Sequence, residues 1–376
     1  MNRKTSGVAC AVAICIASAC VVSAANAAGE GGTPFKLGTF ESKGKEFVGL
    51  VLQDKRVLDI AAANATFESR NAAAAKVAAP RNMKELIARY ERDLGPRLRE
   101  LAAANASAEA GSASYVYAVS ALKVLPPVRP AVILNAGANY PAHAQGIIAQ
   151  GARGAGGAGP RAAAPVSSAP GLWERPPNDK RPDNPYLFLK SQSVVVGAND
   201  DVVIPKGREQ IDWECEFAVV VGTPAKNVTT ADASKHIFGY TIEFDVSDRG
   251  GRNDRKMGGG PDWFVQKNHD TFGPLGPFIV PKEFLPNPTN TRHYFTLNGE
   301  MKQDANTSQM EYNLYEMLAY ASNVLTLNAG DVLSLGTPSG TNIDVQSAPR
   351  WMRAGDVGVC VVEGVGEQRH NIVAQK

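Results

Sequence analysis

Residues 212–222 have the sequence Asp212-Trp213-Glu214-Cys215-Glu216-Phe217-Ala218-Val219-Val220-Val221-Gly222. Its aliphatic and aromatic residues favour a β-strand, in which successive side chains point to opposite faces. Glu214 and Glu216 therefore share one face, where two neighbouring carboxylates repel each other. Either an edge strand exposes both acids to water, or a cation binds between them, because an unpaired buried carboxylate is very costly. Such hard oxygen ligands favour Mg²⁺, Mn²⁺ or Ca²⁺ over zinc.

A second strand-like run, residues 239–247, also carries acids near its end. A neighbouring strand could bring Asp245 to the same cation, and three carboxylates would leave coordination positions open for water and substrate. Glu243 and Asp248 are the alternative third ligands. Because Glu243 lies two residues before Asp245, both would share one face of an ideal strand, and periodicity alone does not choose between them.

Three further segments could carry chemistry. His143 follows a strand and a glycine turn, a common position for a general base, although a single histidine can also be structural. Lys267 could stabilise an enolate or an oxyanion, or it could be an ordinary surface lysine. Residues 336–340, Gly-Thr-Pro-Ser-Gly, offer backbone N–H groups and hydroxyls to an anion. This segment lacks the ending of a nucleotide-binding P-loop, which excludes that class of site.

The remaining patterns predict an α+β, β-rich fold. Short strands and a helix at residues 82–94 predict a small N-terminal α/β domain over residues 33–125, and a larger domain follows over residues 128–376. Residues 147–185 are rich in Gly, Ala, Pro and Arg, which indicates a flexible lid or insertion. A second helix is predicted at residues 312–325. Predicted strands lie at residues 35–40, 47–53, 56–60, 131–134, 186–189, 201–204, 213–221, 236–244, 278–280, 294–297, 332–335 and 357–362.

The first 27 residues have the pattern of a secretory signal peptide. Arg3 and Lys4 precede an apolar run, and Ala25-Asn26-Ala27 fits the cleavage rule. A membrane anchor and a lipoprotein signal are the alternatives. This pattern predicts a periplasmic or secreted protein that is not attached to a membrane after cleavage.

Two cysteines remain after signal cleavage, Cys215 and Cys360, and both lie in apolar strand-like runs. We expect two buried thiols, with a single disulfide bridge as the alternative. The hydrophobic fraction of 44% excludes a disordered chain. Because the two extra basic residues, Arg3 and Lys4, belong to the predicted leader, the remaining charge is balanced. A balanced chain gives no reason to expect nucleic acid or an anionic membrane as a partner.

Taken in order, these motifs resemble the fumarylacetoacetate hydrolase family, and the resemblance covers residues 131–373. Five motifs carry it: Asp212-x-Glu214-x-Glu216; Gly239-Tyr240 with Asp245-Val246-Ser247-x-Arg249; Lys267-x-x-Asp270-Thr271-Phe272 with Pro274-x-Gly276-Pro277; Asn298-Gly299 with Gln303; and Gly330-Asp331 with Gly336-Thr337-Pro338-x-Gly340.

The resemblance implies a mixed β-sandwich or roll, a homodimer, and a Mg²⁺ site (Mn²⁺ or Ca²⁺ as alternatives) held by Glu214, Glu216 and Asp245. It implies a hydrolase that cleaves a C–C bond in a small 2-oxo or 1,3-dioxo acid, acylpyruvate-like, through a metal-stabilised enolate. An isomerase, hydratase or decarboxylase on the same scaffold, or a binding protein without catalysis, is the alternative. The resemblance assigns catalysis to His143 and Lys267, and substrate binding to Arg249, Thr337 and Tyr140.

One departure from the family pattern concerns His143. Many relatives have a glutamate three residues after this histidine, and here that position is Gly146. Either His143 works without a partner, or an acid from the insertion (Glu174 or Asp179) replaces it, or the hydrolytic chemistry is lost.

Overall fold

The computed structural model describes residues 32–154, 179, 181, 184–253, 262–344 and 349–376. The predicted signal peptide lies outside these residues, as do Glu174 and most of the predicted lid. Residues Thr33–Lys376 form one compact unit. Within the described part of the chain, no helix is both long enough and apolar enough to cross a bilayer.

The described strands, in chain order, are β1 (Lys36–Ser42), β2 (Lys45–Leu52), β3 (Arg56–Asp59), β4 (Val116–Ala118), β5 (Lys123–Leu125), β6 (Ile133–Ala136), β7 (Leu187–Lys190), β8 (Val195–Gly197), β9 (Val202–Ile204), β10 (Ile211–Asp212), β11 (Cys215–Val221), β12 (Ile237–Phe244), β13 (Ser247–Asp248), β14 (Gly273–Pro281), β15 (Arg292–Leu297), β16 (Glu300–Asn306), β17 (Val332–Ser334), β18 (Val357–Val362) and β19 (Gly366–Ala374). The described α-helices are α1 (Ile60–Arg70), α2 (Met83–Arg89), α3 (Gly95–Ala104), α4 (Pro141–Gly154), α5 (Trp263–Lys267) and α6 (Leu314–Val324). A π-helical turn, Tyr90–Leu94, joins α2 to α3, and short 3₁₀ turns lie at Val119–Ala121, Gln192–Val194, Ala233–His236, Gly250–Asn253, Lys282–Phe284 and Thr307–Gln309.

Among the described residues, the strands form three open sheets. The largest has twelve strands in the order β4-β3-β2-β1-β14-β12-β11-β17-β6-β7, with β5 beside β1 and β8 beside β14. A five-stranded sheet has the order β16-β15-β18-β19-β9, and β10 pairs with β13. The α+β, β-rich fold class is therefore confirmed.

Strand β11 is buried on both faces, which explains its nearly continuous apolar sequence. Phe217 and Val219 pack in the core that also contains Phe295 of the five-stranded sheet. Ala218 and Val220 pack on the other face, in the core built with helices α1, α2 and α3. This alternation is the period of two expected for a strand. The alternation fixes the face of β11 on which each of its side chains lies.

The N-terminal strands share the large sheet with the rest of the chain, since Leu37 of β1 pairs with Ile279 of β14. The division into domains at residues 125–128 stays a prediction. Two local expectations differ from the structure. Helical conformation continues past Gly95-Pro96 because the proline occupies the first turn of α3, where its missing N–H costs nothing. Residues 147–154 of the predicted lid belong to helix α4.

The expectation of two buried thiols is wrong, because Cys215 of β11 and Cys360 of β18 form a disulfide. The two strands lie in facing sheets, and their cysteine Cα atoms are 5.5 Å apart. Sequence pattern places both residues in buried strands but does not show that the strands face each other. The bridge therefore joins the large sheet to the five-stranded sheet.

We expect Cys360→Ala to lower the free energy of unfolding by about 2–4 kcal/mol, because the bridge closes a loop of 145 residues. Urea denaturation of protein that begins at residue 28, which has no other cysteine, measures the change. Dithiothreitol should destabilise the parent to a similar extent and leave Cys360→Ala unaffected. Two titratable thiols in the denatured, unreduced parent would contradict the bridge.

Candidate metal centre and active site

Three carboxylates converge where β11 meets β12. Glu214 and Glu216 alternate with Cys215 and so lie on the opposite face of the strand from the disulfide. Strand β12 is antiparallel to β11, and the N–H of Asp245 donates to the carbonyl oxygen of Glu214 over 2.9 Å. One ligand oxygen from each of Glu214, Glu216 and Asp245 lies within 4.8 Å of the other two. The structure thus brings together the three acids predicted to hold a metal.

Glu243 is a fourth carboxylate on this face, directly opposite Glu216 in the strand register. Its Oε2 accepts a hydrogen bond from Asn135 Nδ2, and its Oε1 has no hydrogen-bond partner among the described residues. Burial raises the pKa of Glu243 to about 7. Since Glu243 is not part of the close oxygen cluster, the geometry favours Asp245 as the third ligand. Asp248, the other alternative, instead pairs with Arg208 over 2.9 Å.

Three buried cations surround these acids. Lys267 Nζ lies 2.6 Å from Glu214 Oε2 and also donates a hydrogen bond to Asp245. Lys190 Nζ lies 2.5 Å from Asp245 Oδ1. Arg249 donates a hydrogen bond to Glu214 from a position that is itself buried. The cations therefore reach Glu214 and Asp245 directly.

Because the cations contact Glu214 and not Glu216, the pKa values of these two carboxyls shift in opposite directions. Burial disfavours the charged form of Glu214, but the cations of Lys267 and Arg249 outweigh it and hold the pKa of that carboxyl well below its usual range. Burial raises the pKa of Glu216 well above its usual value, and the carboxylate of Asp245 adds to the effect. Glu216 is thus the triad member that most needs another positive charge nearby.

A divalent cation fits this set of donors. Within this cluster, the buried carboxylates are Asp212, Glu214, Glu216, Glu243 and Asp245, and the buried cations beside them are Lys190, Arg249 and Lys267. The other buried acids of the described residues have partners elsewhere: Asp248 pairs with Arg208, Asp331 accepts from the N–H of Ala131, and Asp356 pairs with Arg350. Full ionisation would leave two negative charges uncompensated, which equals the charge of one divalent ion. Three carboxylate oxygens suit Mg²⁺, Mn²⁺ or Ca²⁺. Glu216 Oε2 is held in place by Ser334 Oγ and by the N–H of Gly336, over 2.5 and 3.0 Å.

His143 lies in the first turn of α4, and its side chain is buried. Its Nε2 lies 4.0 Å from Glu214 Oε1, so this nitrogen faces the triad. Its Nδ1 lies 3.1 Å from each carboxylate oxygen of Asp344. Of the acids expected from the insertion, Asp179 pairs with Arg181 over 2.7 Å. The carboxylate beside His143 comes from a distant part of the chain that the sequence patterns did not indicate.

The residues predicted to bind substrate occupy different positions. Thr337 and Arg249 line a cavity beside the triad. Thr337 Oγ1 accepts a hydrogen bond from Gln303 Nε2 over 2.7 Å. Tyr140 does not line this cavity: its hydroxyl lies 2.7 Å from His293 Nε2, in the buried interior. Burial lowers the pKa of His293 to about 4, so its ring is neutral and can accept the hydrogen of the Tyr140 hydroxyl.

The cavity has a volume of about 130 Å³. The polar residues that line it are His143, Glu214, Glu216, Arg249, Lys267 and Thr337, and the other lining residues are Ala136, Gly137, Ala138, Ile147, Tyr186, Phe188 and Trp263. The Phe188 and Trp263 rings stack with centroids 4.8 Å apart. A lining that combines apolar and aromatic side chains with a few charged groups is typical of a site that binds a small organic molecule.

Among the residues that the sequence patterns did not assign to this site are two charged ones, Lys190 and Asp344. Lys190 ends the apolar strand β7, and a lysine there could have been recognised as a buried charge that requires an acidic partner. Asp344 follows a glycine-rich turn and is 201 residues away from His143 in the chain. No local pattern connects two residues at that separation.

The chain is similar in sequence to a known protein family and to several curated proteins. Residues 133–373 match the family described as fumarylacetoacetate (FAA) hydrolase C-terminal. A putative hydrolase of Burkholderia multivorans is 37% identical over 187 residues, which cover 50% of this chain and 65% of that protein. A mitochondrial oxaloacetate tautomerase of Xenopus laevis is 37% identical over 192 residues, covering 51% of this chain and 59% of that protein. The chain thus spans less than two thirds of the length of these curated relatives.

Among solved structures, maleylpyruvate hydrolase from Sphingobium sp. SYK-6 was determined in complex with manganese(II) and pyruvate. It is 25% identical to this chain with a TM-score of 0.62, and the similarity covers 91% of this chain and 100% of that one. The family match extends over more than half of this chain and includes the triad, Lys267 and Thr337. This protein therefore belongs to the fumarylacetoacetate hydrolase family.

Proposed function

We propose that this protein is a divalent-metal-dependent hydrolase that cleaves a C–C bond in a small acylpyruvate-like acid. The proposal rests on one observation: His143, Lys267 and two carboxylates of the triad border the same cavity. The likeness to a maleylpyruvate hydrolase that holds manganese and pyruvate supports both the ion and the type of substrate. We propose Mg²⁺ as the physiological ion, since the donor set suits it as well as manganese.

Lys267 is placed to stabilise negative charge on the substrate. Held by Glu214, Glu216 and Asp245, a divalent ion would supply Lewis acidity toward the oxo and carboxylate oxygens. Burial favours the neutral form of Lys267, but the carboxylates of Asp245 and Glu214 outweigh it and raise the pKa of this lysine. The ammonium group therefore stays charged, and it can donate a hydrogen bond to the oxygen on which enolate charge develops.

His143 is placed to transfer protons through Nε2, the nitrogen that faces the triad. It accepts a proton from water as the water oxygen bonds to the acyl carbonyl carbon. The bond between that carbon and the neighbouring methylene carbon then breaks, and the electron pair stays on the pyruvyl unit as an enolate. The enolate carbon takes the proton back, which gives a carboxylic acid and pyruvate.

Thr337 would fix the substrate carboxylate. Because its Oγ1 already accepts a hydrogen bond from Gln303 Nε2, the hydroxyl hydrogen can be donated to a substrate oxygen. Arg249 lines the same cavity, but its guanidinium donates to Asp212 over 2.9 Å and to Glu214. We therefore assign Arg249 to positioning Glu214 and to the positive charge of the site.

Tautomerisation or isomerisation of an oxo acid is the second candidate. A relative with 37% identity is an oxaloacetate tautomerase, which favours this alternative. Such a reaction would use the same enolate stabilisation by Lys267 and the same proton transfer by His143, without addition of water. The two candidates differ in their products, because only hydrolysis releases pyruvate from an acylpyruvate.

We also propose that the protein is exported to the periplasm or the medium. The first 27 residues have the pattern of a cleavable signal peptide. The Cys215–Cys360 disulfide supports the proposal, since disulfides persist in oxidising compartments and are rare in the cytosol.

Glu216→Gln and Glu243→Gln test which carboxylates bind the ion. The two residues face each other across β11 and β12, and both substitutions remove a charge with little change in shape. We expect Glu216→Gln to weaken Mn²⁺ binding by more than the roughly 10–100-fold typical of outer-shell changes, and Glu243→Gln to weaken it less. Isothermal titration calorimetry measures both affinities. Equal losses in the two variants, or no loss in Glu216→Gln, would count against the triad.

Turnover of a panel of acylpyruvates tests the reaction. With Mg²⁺ or Mn²⁺ we expect pyruvate and the corresponding acid to appear in equal amounts by proton NMR, and a chelator to abolish the reaction. Keto–enol exchange without pyruvate release would indicate the tautomerase. Equal rates with and without chelator would rule out both metal-dependent reactions.

His143→Ala should lower kcat by roughly 10²–10⁴-fold, the range for loss of a general acid–base group. His236→Ala is the matched control, because His236 lies at the end of the turn Ala233–His236 and bonds to Pro224 O, away from the cavity. An equal effect of the two substitutions on kcat would exclude His143 as the base.

A further inference from the structure

The ring of His143 lies between two carboxylates, that of Glu214, a member of the triad, and that of Asp344, which is not. Nε2 faces Glu214 Oε1 at 4.0 Å, on the side of the cavity. Nδ1 lies 3.1 Å from both Oδ1 and Oδ2 of Asp344, on the side away from the triad. The side chain of His143 is only 4% exposed and that of Asp344 only 12% exposed. Water therefore competes weakly for the contact between them.

Asp344 is held in this position independently of His143. Its Oδ2 accepts hydrogen bonds from the N–H groups of Gly340 and Thr341 over 2.9 and 3.1 Å, and from Thr341 Oγ1 over 3.1 Å. Three donors on one oxygen hold the carboxylate in position. The other oxygen remains for the histidine.

Gly146 makes room for this carboxylate. It lies three residues after His143 on α4, and therefore on the same side of the helix. A Cβ atom at Gly146 would lie 2.1 Å from Asp344 Oδ1 and 3.2 Å from the Asp344 Cα. The first distance is impossible without displacement of Asp344. Glycine inside a helix is destabilising relative to alanine, and the space that Asp344 needs gives a reason for the glycine here.

We infer that Asp344 is the positioning residue of His143, and that Gly146 is the helix position that admits it. This inference rests on the proposed role of His143 as the base. A carboxylate can only accept hydrogen bonds, so the nitrogen that faces Asp344 carries the hydrogen. The lone pair of the ring is then on Nε2 and points into the cavity, as proton transfer from water requires.

Asp344→Asn tests this role while preserving the turn. The amide oxygen can still accept from Gly340 and Thr341, whereas the amide nitrogen donates to Nδ1 and favours the wrong tautomer. We expect kcat to fall roughly 10²–10⁴-fold with KM within about threefold of the parent. Asp356→Asn is the matched control, because Asp356 also accepts a backbone N–H in a turn, that of Arg353, and does not line the cavity. Parental kcat in Asp344→Asn would overturn the inference.

Moving the carboxylate from position 344 to position 146 distinguishes a role in orienting His143 from a role in stabilising the fold. Gly146→Glu alone should impair the enzyme, because its side chain meets Asp344. The same substitution added to Asp344→Ala should raise kcat at least tenfold above Asp344→Ala alone, since the new carboxylate can approach Nδ1 from the helix. If Asp344 only stabilised the turn, Gly146→Glu would not raise kcat in the Asp344→Ala variant. An equal loss of kcat when Gly146→Glu is added to the parent and to Asp344→Ala would therefore overturn the inference.

Nitrogen-15 NMR of histidine-labelled, Mg²⁺-loaded protein gives a readout independent of turnover. The chain has five histidines, and His143→Gln identifies the signals of this one. We expect the parent to carry the hydrogen on Nδ1 and Asp344→Asn to shift the hydrogen toward Nε2. A parent with the hydrogen on Nε2 would overturn the inference even if the enzyme is active. If no oxo acid is turned over, the proposed function fails, and the NMR result still decides the role of Asp344.

Discussion

Four carboxylates are held close together in the buried interior, where they repel one another. The pairing of β11 with β12 places Glu216 opposite Glu243 and Asp245 opposite Glu214. Burying unpaired charges costs several kcal/mol each. Lys190, Arg249 and Lys267 offset part of this cost, and the raised pKa of Glu216 shows that they do not offset all of it. A divalent ion would supply the remaining charge.

Such a cluster requires a rigid support, and the two sheets provide it. Strand β11 is packed on both faces, so neither face can rotate its side chains toward water. Cys215 stands between Glu214 and Glu216, and its bridge to Cys360 anchors that part of the strand to the facing sheet. Repulsion between the two glutamates would otherwise favour their separation. Residues 214–216 therefore carry the two glutamates on one face and, on the other, the disulfide that holds this part of the strand in place.

Most of the strands and the paired acids Glu214 and Glu216 could be predicted from the sequence, because both depend on local alternation. The choice of Asp245 over Glu243 could not come from periodicity, since both residues share a face, and it depended on family resemblance. Lys190 was missed because a buried lysine is unfavourable until its partner is known. The disulfide and Asp344 depend on contacts between residues 145 and 201 positions apart. Local pattern carries no information about such contacts.

The segment that follows β17 connects the separate parts of the site. Ser334 and Gly336 hold Glu216, Thr337 borders the cavity, and Gly340 fixes the acid beside His143. Residues 334–344 therefore contact Glu216, border the cavity and supply the carboxylate beside His143. A carboxylate on helix α4 would orient His143 without involving this segment. With Asp344 in the proposed role, the orientation of His143 depends on the same segment that borders the cavity at Thr337.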